Sequence, residues 1–475
     1  MTDYLDSNRL SGIALAIEQL DGHNAKRLDE LRVDIVKIIE QAQNPHELRL
    51  SSRISSLEAA LVTKLNSICD EGKEAFKEQV ILDGLQFPFM TLRHSKIAKA
   101  HRETFKWILE SRKTTFTQWL EGWDDIYWIA GKPGSGKSTL MKFINSHDTT
   151  QKLLRRWAAP KRLVIGSYYF WINGTTMQKS QEGLLQTLLR SIFRECPGLI
   201  PLVCPERWNN IGFRKSGQWD LAELSEAFEK LVALEDLPAK FCFFVDGLDE
   251  YDGGDPKDVI QILDNLAMSS SIKICVSSRE YTVFRDAYAG RPMTMYLEDL
   301  TANDIRKYVR KTLEENSHFR EIQTEEGEIC KEIVNDIVKK AKGVFLWVFL
   351  IVNSLTQGLE RGDDVSDMKD KVKHFPDDLK KVFQRIFDSV ESVYREQMAR
   401  IFQVAMSAVQ PLPVLAYALL DTEKKNSDYA LHGGLKDLDE SEINSINERM
   451  RKRLNERCKD LMEISEASSE RTFLR

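Results

Sequence analysis

Apolar positions recur along the chain with two different periods, and the change of period divides it. Up to residue 80 the spacing is helical: Leu28, Leu31, Ile35, Ile38 and Ile39 share one face, as do Ile54, Leu57, Leu61, Leu65 and Ile68. Asn44-Pro45 separates the two stretches, because proline disfavours helix in the residue before it. The pattern predicts either a packed helical hairpin or a helix pair that mediates assembly. Residues 81–123 read as a connecting segment around Pro88, followed by a helical run, AHRETFKWILES.

Between 124 and 300 the period shortens. Strand-like runs DIYWIA (125–130), RLVIGSYYF (162–170), KFCFFVDG (240–247), IKICVSS (272–278) and TMYLEDL (294–300) alternate with helical stretches at Ser138–Ser146, Gly183–Arg194 and Asp220–Leu234. Apolar strands alternating with helices predict an α/β fold, a parallel sheet with helices on both faces. In Tyr168, Tyr169, Phe170 and Trp171, strand alternation assigns two side chains to each face as packing. After 300 the helical period returns. A helical domain is expected over 301–375, including the apolar stretch Val344–Leu355 and the loop GLERGDDVSD (358–367). Beyond the Phe375-Pro376 turn, 376–475 reads as a winged-helix-like or helical region that ends, at TFLR, as if truncated.

Composition narrows the class. The chain has 475 residues, enough for two to four domains at roughly 100–200 residues each. Its longest apolar run, Val344–Val352, falls well short of the ~20 residues that span a bilayer. The polar start, MTDYLDSNRL, is unlike a leader peptide. No membrane span and a cytoplasmic location are therefore expected. The 7 cysteines are dispersed without a C-x-x-C pair, which fits a reducing compartment and offers no zinc spacing. The formal net charge is −6, with no basic surplus, so no nucleic-acid partner is expected.

The chemistry concentrates at three points. Gly131-Lys132-Pro133-Gly134-Ser135-Gly136-Lys137-Ser138 is a complete G-x-x-x-x-G-K-[ST] loop between a strand and a helix, with Thr139 next. Glycines let successive N–H groups point at phosphates, and the following helix adds its positive end. Lys137 would reach the β- and γ-phosphates, and the Ser138 hydroxyl would ligate Mg²⁺. Second, the strand Phe241–Val245 ends in Asp246, where an acid can hold the Mg²⁺ shell. Of the acids that follow, Glu250 is the better candidate to orient or deprotonate an attacking water, and Asp249 the second. Third, Ile272–Val276 ends in Ser277-Ser278-Arg279. Arg279 reads as a γ-phosphate sensor or as a surface arginine. Upstream, Phe105 and Trp107 read as packing, with stacking on a base as the other reading.

GKPGSGKST, YYFWINGT…QKSQEGLLQTLLRSI and FFVDGLDEYDG resemble the NACHT form of the signal-transduction STAND ATPases, in particular the nephrocystin-type NACHT module of fungal NOD-like receptors. The segments ILDGLQFPFMTLRHSKIAKAHRETFKWIL and LPVLAYALLD…RMRKRLNERCKDLMEI resemble what flanks that module. The resemblance implies a switch: ADP holds a closed form, ATP opens it, and slow hydrolysis resets it. It also implies self-association through the NTPase module and effector proteins as partners. Departures are visible. A G-x-P motif that touches adenine in relatives corresponds here to Gly343-Val344-Phe345-Leu346-Trp347, without proline, which leaves GTP open beside ATP. A β-phosphate histidine of some relatives has only His374 and His432 in its region, and neither matches a motif. An ordinary P-loop ATPase or kinase, and a degenerate nucleotide-binding scaffold, are the alternatives.

Overall fold

The computed structural model describes residues 72–101, 104–110, 113–122, 126–211, 218–408, 412–425, 439–458, 462, 464–466 and 472–474. The predicted helical faces from Leu28 to Ile68, together with Cys69 and His432, lie outside these. By contacts the chain separates into two units. The smaller, to Leu85 and again over Pro197–Gln218, holds a helix at 72–84 and short helices Ile200–Val203 and Pro205–Asn210, with Lys77 Nζ 5.1 Å above the Trp208 ring.

The larger unit contains a five-stranded parallel sheet: β1 Ile126–Ala130, β2 Arg162–Tyr169, β3 Ala239–Asp246, β4 Ile272–Ser278 and β5 Thr294–Tyr296, in spatial order β2-β3-β4-β1-β5. Every residue of β1, β3 and β4 is buried, as expected of central strands covered on both faces. The edge strand β2 alternates between half-buried and buried positions over most of its length. One face carries Tyr127, Ile129, Cys242, Phe244 and Cys275. They pack under helices α1 Phe116–Glu121, α2 Lys137–Ser146 and α3 Asp148–Ala158. On the other face, Phe243 lies against Gly166 of β2, where a Cβ would come within 2.9 Å of its ring. Helix α4, Gln181–Glu195, covers that side through Leu188.

Two expected elements come out differently. TMYLEDL is a strand only over Thr294–Tyr296, and Leu297–Leu300 turns helical, with Glu298 and Asp299 in its first turn. The described residues of AHRETFKWILES do not form an α-helix. They form a single 3-10 turn, Lys106–Leu109, because Phe105 takes a left-handed φ of 63° and its N–H bonds to Asp304 rather than to a preceding turn.

A second core gathers helices α5 Ala302–Glu314, α6 Gly327–Ala341, α7 Phe345–Glu360 and α8 Val365–His374 around Ile305, Ile337, Trp347, Ile351 and Met368. It continues past residue 375 to Val382 and Ile386, with the Trp347 indole donating to Pro376 O at 2.6 Å. Further on, Ile401, Val414, Tyr417, Met450 and Leu454 form a third cluster. An antiparallel pair, Ile464–Glu466 with Thr472–Leu474, follows. Among the described residues no helix is long and apolar enough to cross a membrane, and no group of three metal-ligating side chains occurs. Cys196, Cys204, Cys242, Cys275, Cys330 and Cys458 are buried free thiols.

Candidate nucleotide site

The sheet order places β4 between the strand before the glycine-rich loop, β1, and the strand that ends in Asp246, β3. The three sequence signals therefore meet at one carboxyl edge, where open α/β sheets bind ligands. The loop turns at Gly134 and Gly136, with φ of 72° and 95°, values that side chains other than glycine rarely adopt. Lys132, Pro133 and Gly134 are exposed; Gly131 and Ser135 are buried; Ser138 and Thr139 sit half-buried in the first turn of α2. The Lys137 ammonium donates to Gly131 O at 2.6 Å and Lys132 O at 3.0 Å, so it curls over its own loop. Burial lowers its pKa below the usual lysine value, against the pull of Asp249, Asp246 and Glu298.

Asp246 is 1% exposed. Its Oδ1 accepts from Ser277 Oγ at 2.6 Å, and Ser277 Oγ in turn accepts the Gly247 N–H at 3.1 Å. Its Oδ2 is buried and has no hydrogen-bond partner. Burial raises this carboxyl above its ordinary value, opposed by Ser138, Ser277, Arg93 and Lys137. A buried carboxylate oxygen left open beside the Ser138 hydroxyl suits a hard divalent cation, so Ser138 and Asp246 fit Mg²⁺.

The two candidate bases separate. Both oxygens of Asp249 are taken by one arginine: Oδ2 pairs with Arg279 Nε at 2.9 Å and Oδ1 accepts the Arg279 N–H at 3.0 Å. Asp249 is thus the anchor of Arg279, whose Nη1 also donates to Tyr281 OH at 3.1 Å. Glu250 accepts the Ile172 N–H through Oε2 at 3.0 Å, and burial raises its pKa, the direction that favours a base working near neutrality.

Phe105 and Trp107 are held as packing. The Phe105 N–H and the Trp107 indole N–H both donate to Asp304 Oδ2 at 2.7 Å, and the Phe105 ring meets Phe143 and Phe345. The stretch Gly343–Trp347 reaches the loop itself. Leu346 N donates to Gly134 O at 3.0 Å, and Lys132 Nζ donates to Lys342 O at 3.3 Å. Gly343 must be glycine there, since a Cβ would fall 2.5 Å from Glu298 Cα. His374 stays on its own helix, with Nδ1 2.8 Å from Asp370 O. The sequence reading missed Ser277 as the bridge to Asp246, Asp304 as the clamp on Phe105 and Trp107, and Arg93. Ser277 falls in the Ser277-Ser278-Arg279 run and Arg93 in the upstream segment, but the local pattern marks none of these contacts, since each acts across a long separation.

A parallel sheet with the glycine-rich loop after β1 and the acid at the end of β3 settles the class. The fold is that of a P-loop NTPase. Residues 103–279 match the family described as "Nephrocystin 3, N-terminal", and residues 389–475 match one described as "Domain of unknown function (DUF7791)". Among solved structures, similarity extends to Drosophila ORC bound to DNA (12% identity, 77% of this chain and 91% of that chain, TM-score 0.33). It extends also to Cdc6p from Pyrobaculum aerophilum (12%, 82% and 93%, 0.31) and to a Walker-type ATPase of Pyrococcus abyssi (13%, 79% and 94%, 0.31). No curated protein matches the chain. One expectation is corrected here. Net charge excluded a nucleic-acid partner, yet one of these similar structures is bound to DNA, so the exclusion is withdrawn.

Proposed function

We propose that the chain is a nucleotide-controlled switch of the NACHT kind. It binds ATP or ADP with Mg²⁺ and hydrolyses ATP slowly to change conformation, in signalling of the fungal innate-immune or incompatibility type that its resemblance implies. The observation that carries the reading is the set of polar groups left open at one edge of the sheet: Asp246 Oδ2 and Ser135 Oγ buried without partners, beside a lysine bonded only to carbonyls of its own loop. Such groups are costly unless a ligand completes them.

In this reading Lys137 leaves Gly131 O and Lys132 O for the phosphates, and the loop N–H groups cradle them. Ser138 and Asp246 would hold Mg²⁺, which would offset phosphate charge. Glu250, fixed by Ile172 N–H, orients the water and accepts its proton. Asp249 holds Arg279 at the tip of β4 to stabilise charge on the terminal phosphate. Conformational coupling runs through Leu346, because the backbone bond to Gly134 joins α7 to the phosphate loop. A ligand that moves the switch from 1:99 to 99:1 must favour one state by about 5.5 kcal/mol.

The test is a titration with fluorescent ATP, ADP and GTP in Mg²⁺, beside Lys137→Ala. The parent is expected to bind saturably. The variant should bind ATP ~10–150-fold more weakly, the loss of charge-assisted bonds worth roughly 1.5–3 kcal/mol. Unchanged ATP affinity in the variant would remove the site assignment. Identical protease-cleavage patterns in ATP and ADP would remove the switch.

A further inference from the structure

We infer that Arg93, delivered from the chain segment ahead of the sheet, contacts the terminal phosphate of the bound nucleotide and so distinguishes triphosphate from diphosphate. The inference rests on the nucleotide reading above and adds to it a residue outside the phosphate loop, the acidic strand end and the Ser277-Ser278-Arg279 run.

The segment is fastened to the phosphate-loop module at several points. Lys142 of α2 donates to His94 O and Ile97 O, both at 2.7 Å, and Gln178 Nε2 donates to Phe89 O at 3.0 Å. The His94 ring lies 5.2 Å from the ring of Tyr169, the residue paired in register with Asp246. The Arg93 guanidinium carbon sits 5.8 Å from the Trp171 ring centroid, and the backbone N–H of the next residue, Ile172, holds Glu250. Arg93 is thereby set against the carboxylate end of β3.

Its bonding there is incomplete. The charge of Arg93 is felt at Glu250, favouring its ionised form. Yet Arg93 Nε is buried without an acceptor, and among the described residues its side chain forms no ion pair. A guanidinium carries five N–H donors in a planar fork matched to phosphate or carboxylate. One that lies beside an aromatic ring with a buried, unbonded Nε is placed to accept an anion. Arg279 differs, since Asp249 and Tyr281 already occupy its Nε and Nη1. The ligand chemistry is the γ-phosphoryl group of a nucleoside triphosphate with its Mg²⁺.

The experiment compares affinities of the full chain for Mg²⁺ with a non-hydrolysable ATP analogue and for Mg²⁺ with ADP, in the parent, Arg93→Ala and Arg93→Lys. The alanine variant should lose ~10–100-fold in affinity for the analogue while ADP affinity stays within about two-fold. Lysine, a point charge without the fork, should recover part of the loss. An equal loss for both nucleotides, or none for the analogue, overturns the inference; a purely structural arginine gives one of those results. If Arg93→Ala fails to fold, Arg93→Lys decides by the same ratio. A parent that binds neither nucleotide overturns the nucleotide reading itself and this inference with it.

Discussion

The two ends of the sheet both bury charge, but they treat it in opposite ways. At the amino end, Lys240 and Lys273 are inside the protein, 8% and 1% exposed. Lys273 Nζ donates to Trp119 O and to Leu120 O, the latter at 3.2 Å, and lies 5.2 and 4.7 Å from the rings of Trp119 and Trp157. Lys240 Nζ donates to Trp157 O at 3.0 Å and lies 4.7 Å from the same ring. The carbonyls come from the last turns of α1 and α3, the ends of helices that attract cations. At the carboxyl end, Asp246 Oδ2, Ser135 Oγ and Glu298 Oε2 are buried with no partner. The same sheet thus satisfies the buried charges at its amino end and leaves buried polar atoms unsatisfied at its carboxyl end, where the proposed nucleotide would complete them. Whether a buried charge is satisfied, more than how deeply it is buried, separates structural from functional sites.

The largest effect should come from breaking the amino end. Lys273→Ala removes the partner of two buried carbonyls, each costing about 1–3 kcal/mol when orphaned, and two cation–π contacts. Relief of a desolvated charge offsets part of this, leaving about 4 kcal/mol lost in denaturant unfolding. A loss under about 1 kcal/mol would mean that the amino-end lysine is not a structural charge, and the comparison would break there.

Much of this was readable in advance, and the rest was not, for a physical reason. Gly131–Ser138 and Asp246 announce themselves because the phosphate loop is contiguous and the acid ends an apolar run. The five strands are legible by period, although the fifth is cut short where Leu297 begins a helical turn. The sequence ranks Glu250 ahead of Asp249 as the base; the fold supplies the reason, since Arg279 consumes Asp249 and the Ile172 N–H fixes Glu250. Lys240 and Lys273 sit in apolar strands as apparent exceptions, and their carbonyl and indole partners lie far away along the chain. The contacts of Ser277, Arg93 and Leu346 escape for the same reason, although the residues lie in stretches the sequence marks.

A middle-sized effect sharpens the comparison at the carboxyl end. Glu250→Gln keeps the side-chain shape and one acceptor for Ile172 N–H but cannot take a proton. ATP hydrolysis should fall ~100-fold, with nucleotide affinity retained. The rate of the parent should fall on acidification, starting at a higher pH than an ordinary glutamate would give, because burial raises the Glu250 pKa above 4.5. Stability should not fall in the variant, since a carboxylate whose pKa is raised is a net cost to the fold once ionised. Hydrolysis at the parent rate would move the base elsewhere.

The smallest effect tests whether satisfaction or location is the true criterion. Asp304 lies on α5 close to the phosphate loop, yet its Oδ2 accepts two hydrogen bonds at 2.7 Å, from Phe105 N and the Trp107 indole. By location it belongs with the site; by satisfaction it belongs with the lysines. Burial raises its pKa above 3.8, against those two bonds. Between 3.8 and that raised value the folded state holds more protons than the unfolded one, so this group's contribution to stability falls as pH rises through the window. Asp304→Asn keeps an oxygen that can accept both bonds and removes the ionisation. It should change stability by less than about 1 kcal/mol at neutral pH and flatten the slope in that window, whereas Asp304→Ala, which orphans both donors, should cost about 2 kcal/mol. Nucleotide affinity measured on the folded Asn variant should match the parent. If affinity falls instead while the unfolding curves are unchanged, proximity to the loop outweighs satisfaction, and Asp304 must be counted with the open charges of the site.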